Sequence, residues 1–182
     1  MLVRDHPEFT VFRFRLAISL GNLAARQYGV GHPDARPLVE RALAIHEALA
    51  RELPADVINV SALVDRASQL ATAQAVGGRR DEAQASIRRA EKALERSPDV
   101  APSTLYNLAC AYARCAAADR RERGTGTEHA DRAMAVLRRS VAAGFSDVPL
   151  IRRDADLDSL RDRLDFQELL MDLSFPADPF QQ

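Results

Sequence analysis

Apolar residues in this 182-residue chain recur every three or four positions through one long stretch after another. That spacing lines one side of an α-helix; a strand, whose side chains alternate with a period of two, cannot use it. Residues 8 to 28 carry Phe9, Phe12, Leu16, Leu20 and Leu23 at this spacing, and "GVGHPD" then breaks the chain. Residues 34 to 52 repeat it with Leu38, Ala42, Ile45 and Leu49, as far as Pro54. Residues 56 to 76 follow, with Val60, Leu63, Ala67 and Leu70 on the stripe and Arg66 and Gln69 on its flanks. A fourth helix is expected over 82 to 96 with Asp81 as N-cap, and a fifth over 104 to 118 with Ser103 as cap. "DRRERGTGTE" reads as a loop before a sixth helix over 128 to 143, stopped by Gly144. No useful length alternates like a strand, so the expected class is all-α.

The helices come in twos, and a size pattern repeats with them. A small residue follows a leucine on the first helix of each pair: Leu20-Gly21, Leu70-Ala71 and Leu108-Ala109. On the second helices an alanine precedes a large apolar residue by four: Ala35 and Val39, Ala83 and Ile87, Ala133 and Leu137. A small residue lets the partner helix approach and a large one fills the space beside it. Stacked pairs of this kind bury a continuous core.

These residues resemble the tetratricopeptide repeat. In "LYNLACAY", Leu105, Leu108, Ala109 and Tyr112 stand at that family's large, leucine, small and tyrosine positions, and "GGRRDEAQASIRRA" matches its turn and second helix. The likeness covers residues 15 to 143. Ala17 and Ala24 replace large residues in the first pair, and the alanine series at 35, 83 and 133 is wider than the family's usual spacing of about 34. The resemblance implies a right-handed stack of three antiparallel helix pairs over 1–144, and a helical cap with an extended tail over 145–182. All of it would form one structural domain.

The tail carries a narrower likeness. "SVAAGFSDVPLIRRDADLDSLRDRLDFQELL" with "FPADPF" is similar to the closing segment of bacterial serine/threonine kinases that bear such repeats after their catalytic domain. That implies the C-terminal repeat region of a kinase or a stand-alone relative. No kinase signature is present: no glycine-rich loop with its lysine, no His-Arg-Asp loop, no Asp-Phe-Gly. The cap is expected to lay Leu157, Leu160, Leu164, Phe166, Leu169 and Leu170 on the helix holding Val136, Leu137 and Val141. Phe175 is expected to anchor the extended tail.

Charge narrows the partners. With 25 basic and 26 acidic residues, the chain has no excess that would select nucleic acid or an anionic membrane. Lys92 is its sole lysine, a bias that reads as GC-rich coding rather than a phosphate-binding device. The start, "MLVRDHPEF", lacks the apolar run of a signal peptide, and no stretch approaches a membrane span. Two cysteines make no disulfide framework, so a cytoplasmic location is expected. A piece cut from a larger protein would look the same.

Chemistry is sparse. Cys110 and Cys115 on one helix are about 7.5 Å apart along its axis and point apart, which suits neither a bridge nor zinc. They are expected to fill small positions among Ala109, Ala111, Ala113 and Ala116. "DADLDSLRDRLD" has aspartates at several calcium-loop positions, but Ser159 stands where the turn needs glycine, so the reading is helix capping. "GTGT" lacks the strand and lysine of a phosphate loop. No cofactor, metal or catalytic residue is expected.

What remains is a groove. The resemblance places Arg15, Ile18, Asn22, Arg26, Asp65, Ser68, Gln69, Thr72, Tyr106, Asn107, Cys110 and Arg114 on the concave face, where repeat stacks take peptides or helices. Of the residues that clamp a C-terminal carboxylate in some members, only Asn22 matches. The expected function is non-catalytic protein binding. The alternative is a stand-alone scaffold that pairs with its own copy through an exposed helix.

Overall fold

The computed structural model describes residues 7–29, 35–53, 55–97, 99–123 and 126–174. Among them there are helices and no strands: α1 (Pro7–Gly29), α2 (Ala35–Glu52), α3 (Val57–Val76), α4 (Arg80–Arg96), α5 (Pro102–Arg123) and α6 (Thr127–Ala142). A short α7 (Val148–Arg153), a 3-10 turn (Ala155–Leu160) and α8 (Leu164–Asp172) follow. No helix among these residues is long and apolar enough to cross a membrane.

Consecutive helices pack as α1 with α2, α3 with α4 and α5 with α6; α3 and α5 join the pairs. The size pattern accounts for the contacts. Gly21, Ala71 and Ala109 are all buried, as are Ala35, Ala83 and Ala133. Their large companions Val39, Ile87 and Leu137 are buried beside them. Helix α5 is the thinnest, with Ala109, Ala111, Ala113 and Ala116 each at 0% exposure, so neighbours can crowd it from several sides. Cys110 and Cys115 are free, buried thiols in this row.

Boundaries shift where local signals compete. Helix α4 begins at Arg80, with Arg79 at the N-cap and no side-chain cap bond. Asp81 therefore lies inside the first turn, where its charge complements the helix dipole. Ser103 likewise falls inside α5, which starts at Pro102, a residue suited to a first turn that lacks amide acceptors. The same helix runs on through Arg123, so half of the expected loop is helical. Gly144 closes α6 with φ 107°, a conformation that side chains disfavour.

The cap buries most of its expected core and rests on α5 more than on α6. Ile151, Leu157 and Leu160 are fully buried, Phe166 nearly so, and Leu169 is at 9% exposure. The 3-10 turn packs chiefly on α5, with smaller contacts from it and α8 to α6. The expected partner was the α6 stripe. Instead Ser159 donates to the Ala113 carbonyl at 2.7 Å, and Arg120 donates to the Ser159 carbonyl at 3.1 Å. Leu164 is at 77% exposure: as the first residue of α8 it precedes the buried side. Asp147 and Asp154 cap α7 and the 3-10 turn, accepting from Leu150 N and Asp156 N at 2.9 Å each. The expected anchor Phe175 and the extended tail lie outside the described residues.

A buried polar clasp ties α2 to α3. His46 Nδ1 meets Asn59 Oδ1 at 2.7 Å, while Asn59 Nδ2 donates to the His46 carbonyl at 3.0 Å. The acceptor on Asn59 places the imidazole proton on Nδ1. Nε2 is then a buried acceptor with no partner among the described residues, and Phe14 of α1 stands edge-on against the ring at 5.6 Å.

Burial pushes the His46 pKa below its ordinary 6.5, against the raising effect of Asn59. The unfolded chain therefore binds a proton at a pH where the folded chain does not. Stability from this residue is present above pH 6.5 and is lost as pH falls toward the folded pKa. Urea unfolding at a series of pH values above the carboxylate range is expected to show this slope, and His46→Gln is expected to flatten it.

Candidate functional site

The twelve groove candidates fall into two linked clusters and an outlying set. The first cluster joins α1 to α3. Arg66 of α3 donates to Asn22 Oδ1 at 2.8 Å and to Gln69 Oε1 at 2.7 Å, and the residue is only 9% exposed. Its guanidinium lies flat against Gly21, where an added Cβ would sit 2.3 Å from Nε. Glycine at 21 thus makes the space in which an arginine is buried between two helices. Desolvation lowers the Arg66 pKa, and its Nε finds no acceptor among the described residues.

The second cluster joins α3, α5 and the cap. Asp65 accepts from Asn107 at 3.0 Å and from Thr104 at 3.3 Å, and burial raises its pKa against those two bonds. Tyr106 stacks on Phe145 at 4.4 Å and donates its hydroxyl to Asp154 Oδ2 at 2.7 Å. The Cys110 thiol donates to the same oxygen at 3.7 Å. Arg114 pairs with Asp156 at 2.6 Å. Three of the four α5 candidates thus hold the chain's own cap. Ser68 is buried with its hydroxyl unpartnered.

An open cavity of about 350 Å³ remains between these groups. Gln69 and Thr72 of α3, Asn107 and Cys110 of α5, and Asp154 and Asp156 of the cap line it with Val39 and Ala73. Arg15 and Arg26 are exposed and Ile18 is half-buried on α1, outside this lining. Sequence reasoning missed Arg66, Asp154 and Asp156 as part of the site. The two aspartates are legible as caps, but capping uses one oxygen and says nothing of where the second points. Arg66 falls beside the Val60, Leu63, Ala67 and Leu70 stripe, and nothing in its local sequence marks it as a buried arginine.

The Cys110 sulfur and the Asp154 and Asp156 carboxylates all lie within 4.8 Å of one another. Asp154 has both oxygens engaged by Tyr106, Cys110 and the Asp156 amide, and Asp156 is neutralised by Arg114. Burial, and then the Asp154 charge, push the Cys110 thiol well above its usual range. Elsewhere Asp119 holds His129 at 2.6 Å and also pairs with Arg80, an acid–imidazole arrangement that could activate a nucleophile. The thiol one turn away, Cys115, is pushed up to about 12 by burial and the Asp119 charge, the reverse of activation.

Asp154→Ala is expected to cost about 2–4 kcal/mol in chemical unfolding, because it removes a cap and leaves a buried phenol without an acceptor. Tyr106→Phe is expected to cost only about 1 kcal/mol, since Asp154 keeps its other donors. Comparison of this chain with family models, curated proteins and solved structures finds no match.

Proposed function

We propose that this chain is a non-catalytic protein-binding module: a right-handed stack of three antiparallel helix pairs of the tetratricopeptide kind, whose groove takes an extended segment of a partner protein. The observation that carries the reading is the cavity lined by Gln69, Thr72, Asn107, Asp154 and Asp156. Amides and a hydroxyl suit the backbone of an extended peptide, and the Asp154 charge suits a cationic side chain on it. The absence of any activated nucleophile at Cys110 or Cys115 fits a binding role. The tail's likeness supports a place at the C-terminus of a bacterial serine/threonine kinase, working in the cytoplasm. A kinase domain encoded upstream in the same reading frame is the check on that placement.

A second reading, a scaffold that pairs with its own copy, has one observation in its favour. Apolar side chains of α1 that helical spacing would put in the core are exposed, with Phe12 at 64%.

The groove is tested with peptides selected from a random display library against the intact chain. Selected sequences are expected to be extended and to carry arginine or lysine. Thr72→Trp, which fills the cavity, is expected to weaken them roughly tenfold or more by calorimetry. Peptides that bind Thr72→Trp as tightly as wild type would contradict the groove assignment.

A further inference from the structure

The seam between the first two helix pairs holds a second cavity. Helices α2 and α4 both pack on α3, and ion pairs join them to each other: Arg89 with Glu40 and Glu47, and Arg36 with Glu82. In the C-terminal halves of α2 and α4 the apolar residues that face this seam are short. Ala50 and Ala93 are buried there, and buried Val60 and Leu63 of α3 supply the rest of the apolar wall. Two alanines leave the gap between the helices unfilled, and a half-enclosed space of about 250 Å³ remains.

Helical spacing brings charge to the same place. Residues 47, 50 and 51 of α2 and residues 89, 92 and 93 of α4 share one pattern, so each helix presents a single turn to the cavity. Each turn carries one alanine and two charged residues. Glu47 and Arg89 neutralise each other across the seam at 2.7 Å. Arg51 and Lys92 are exposed, and neither has a hydrogen bond or an ion pair among the described residues. Lys92 is also the sole lysine of the chain.

Two unpaired cations beside an apolar wall select an anion with an apolar body. A cavity of about 150 Å³ accommodates a benzene ring, so the larger space here suits roughly eight carbons. We infer that this cavity binds a small carboxylate bearing a hydrocarbon chain or ring of that size. Arg51 and Lys92 hold the carboxylate, and the alanines with Val60 and Leu63 cover the chain. A single negative charge fits best, because the Glu47 carboxylate also stands in the wall and opposes a dianion. Most of the affinity then comes from burying the chain, and the two exposed cations supply the choice of charge. The site shares no lining residue with the groove between α3, α5 and the cap, so failure of one leaves the other in place.

Octanoate is the probe, titrated into the intact chain by calorimetry below its micellar range. Saturable binding is expected. Octanol, with the same chain and no charge, is expected to bind roughly tenfold more weakly, and acetate, with the charge and no chain, not measurably. Arg51→Gln and Lys92→Gln change exposed residues and leave the core intact. Each is expected to weaken octanoate about threefold and the two together about tenfold, so that the double variant no longer prefers octanoate to octanol. Arg41→Gln removes an exposed charge on α2 outside the cavity and is expected to bind like wild type. Bound octanoate is also expected to slow reductive methylation of Lys92, read by mass spectrometry against the α-amino group of the chain. No saturable binding, equal affinity for octanol, or full reactivity of Lys92 in the complex would overturn the assignment. A short peptide ending in leucine that binds more tightly than octanoate would overturn it too, by making the occupant a protein C-terminus.

Discussion

The second and third helix pairs and the cap depend on how closely other elements approach α5. Its row of alanines has no side chain long enough to hold a neighbour off, and all of them are buried. Helices α3, α4 and α6 and the 3-10 turn pack on this one element. Larger residues are confined to positions that fill the gaps: Leu105, Leu108 and Tyr112 on α5, and Leu137 on α6. A helix this thin brings backbones close, which is why a cap hydroxyl, Ser159, reaches the α5 backbone at Ala113. Dispersion contacts over many small residues take the place of a few large ones.

Polar contacts then set the order of the parts. Arg89 bridges α4 to two glutamates of α2, and Arg132 on α6 meets Glu91 on α4 at 3.1 Å. Exposed pairs of this kind contribute little individually, but they fix which sides of the second helices face one another. The buried links carry more. His46 with Asn59, Arg66 with Asn22 and Gln69, and Tyr106 with Asp154 each satisfy polar groups that have lost water. Losing one partner strands the other, so these links penalise any slippage of one helix along the next. The cap uses the same device, and its Asp154 and Asp156 form part of the wall of the cavity.

Helix content, helix pairing and the small-to-large rule were legible in the sequence because each is local. Ala83 and Ile87, or Leu108 and Ala109, state their roles within one turn. The burial of the cap leucines Leu157 and Leu160 was legible for the same reason. Their partner was not, because a periodic stripe shows that a side is apolar without showing what covers it. The α1 stripe is the clearest instance: the spacing of Phe12, Leu16 and Leu23 reads as a core face, yet the buried side is the Ala17, Gly21 and Ala24 row beside it. Arg66 was opaque in a different way, since its burial depends on a glycine on another helix. Of the cavity lining, Gln69, Thr72, Asn107 and Cys110 are among the residues singled out from the sequence. The acidic part comes from a segment whose aspartates look like caps alone.

The central claim is that small residues on α5 set the spacing of the elements packed on it. The unfolding free energy of Ala109→Leu in urea tests it most directly, because Ala109 is at 0% exposure in that row. The added side chain should cost about 1–3 kcal/mol through overpacking. Stability equal to or greater than that of wild type would mean that the helices have room to spare and that α5 does not set their approach.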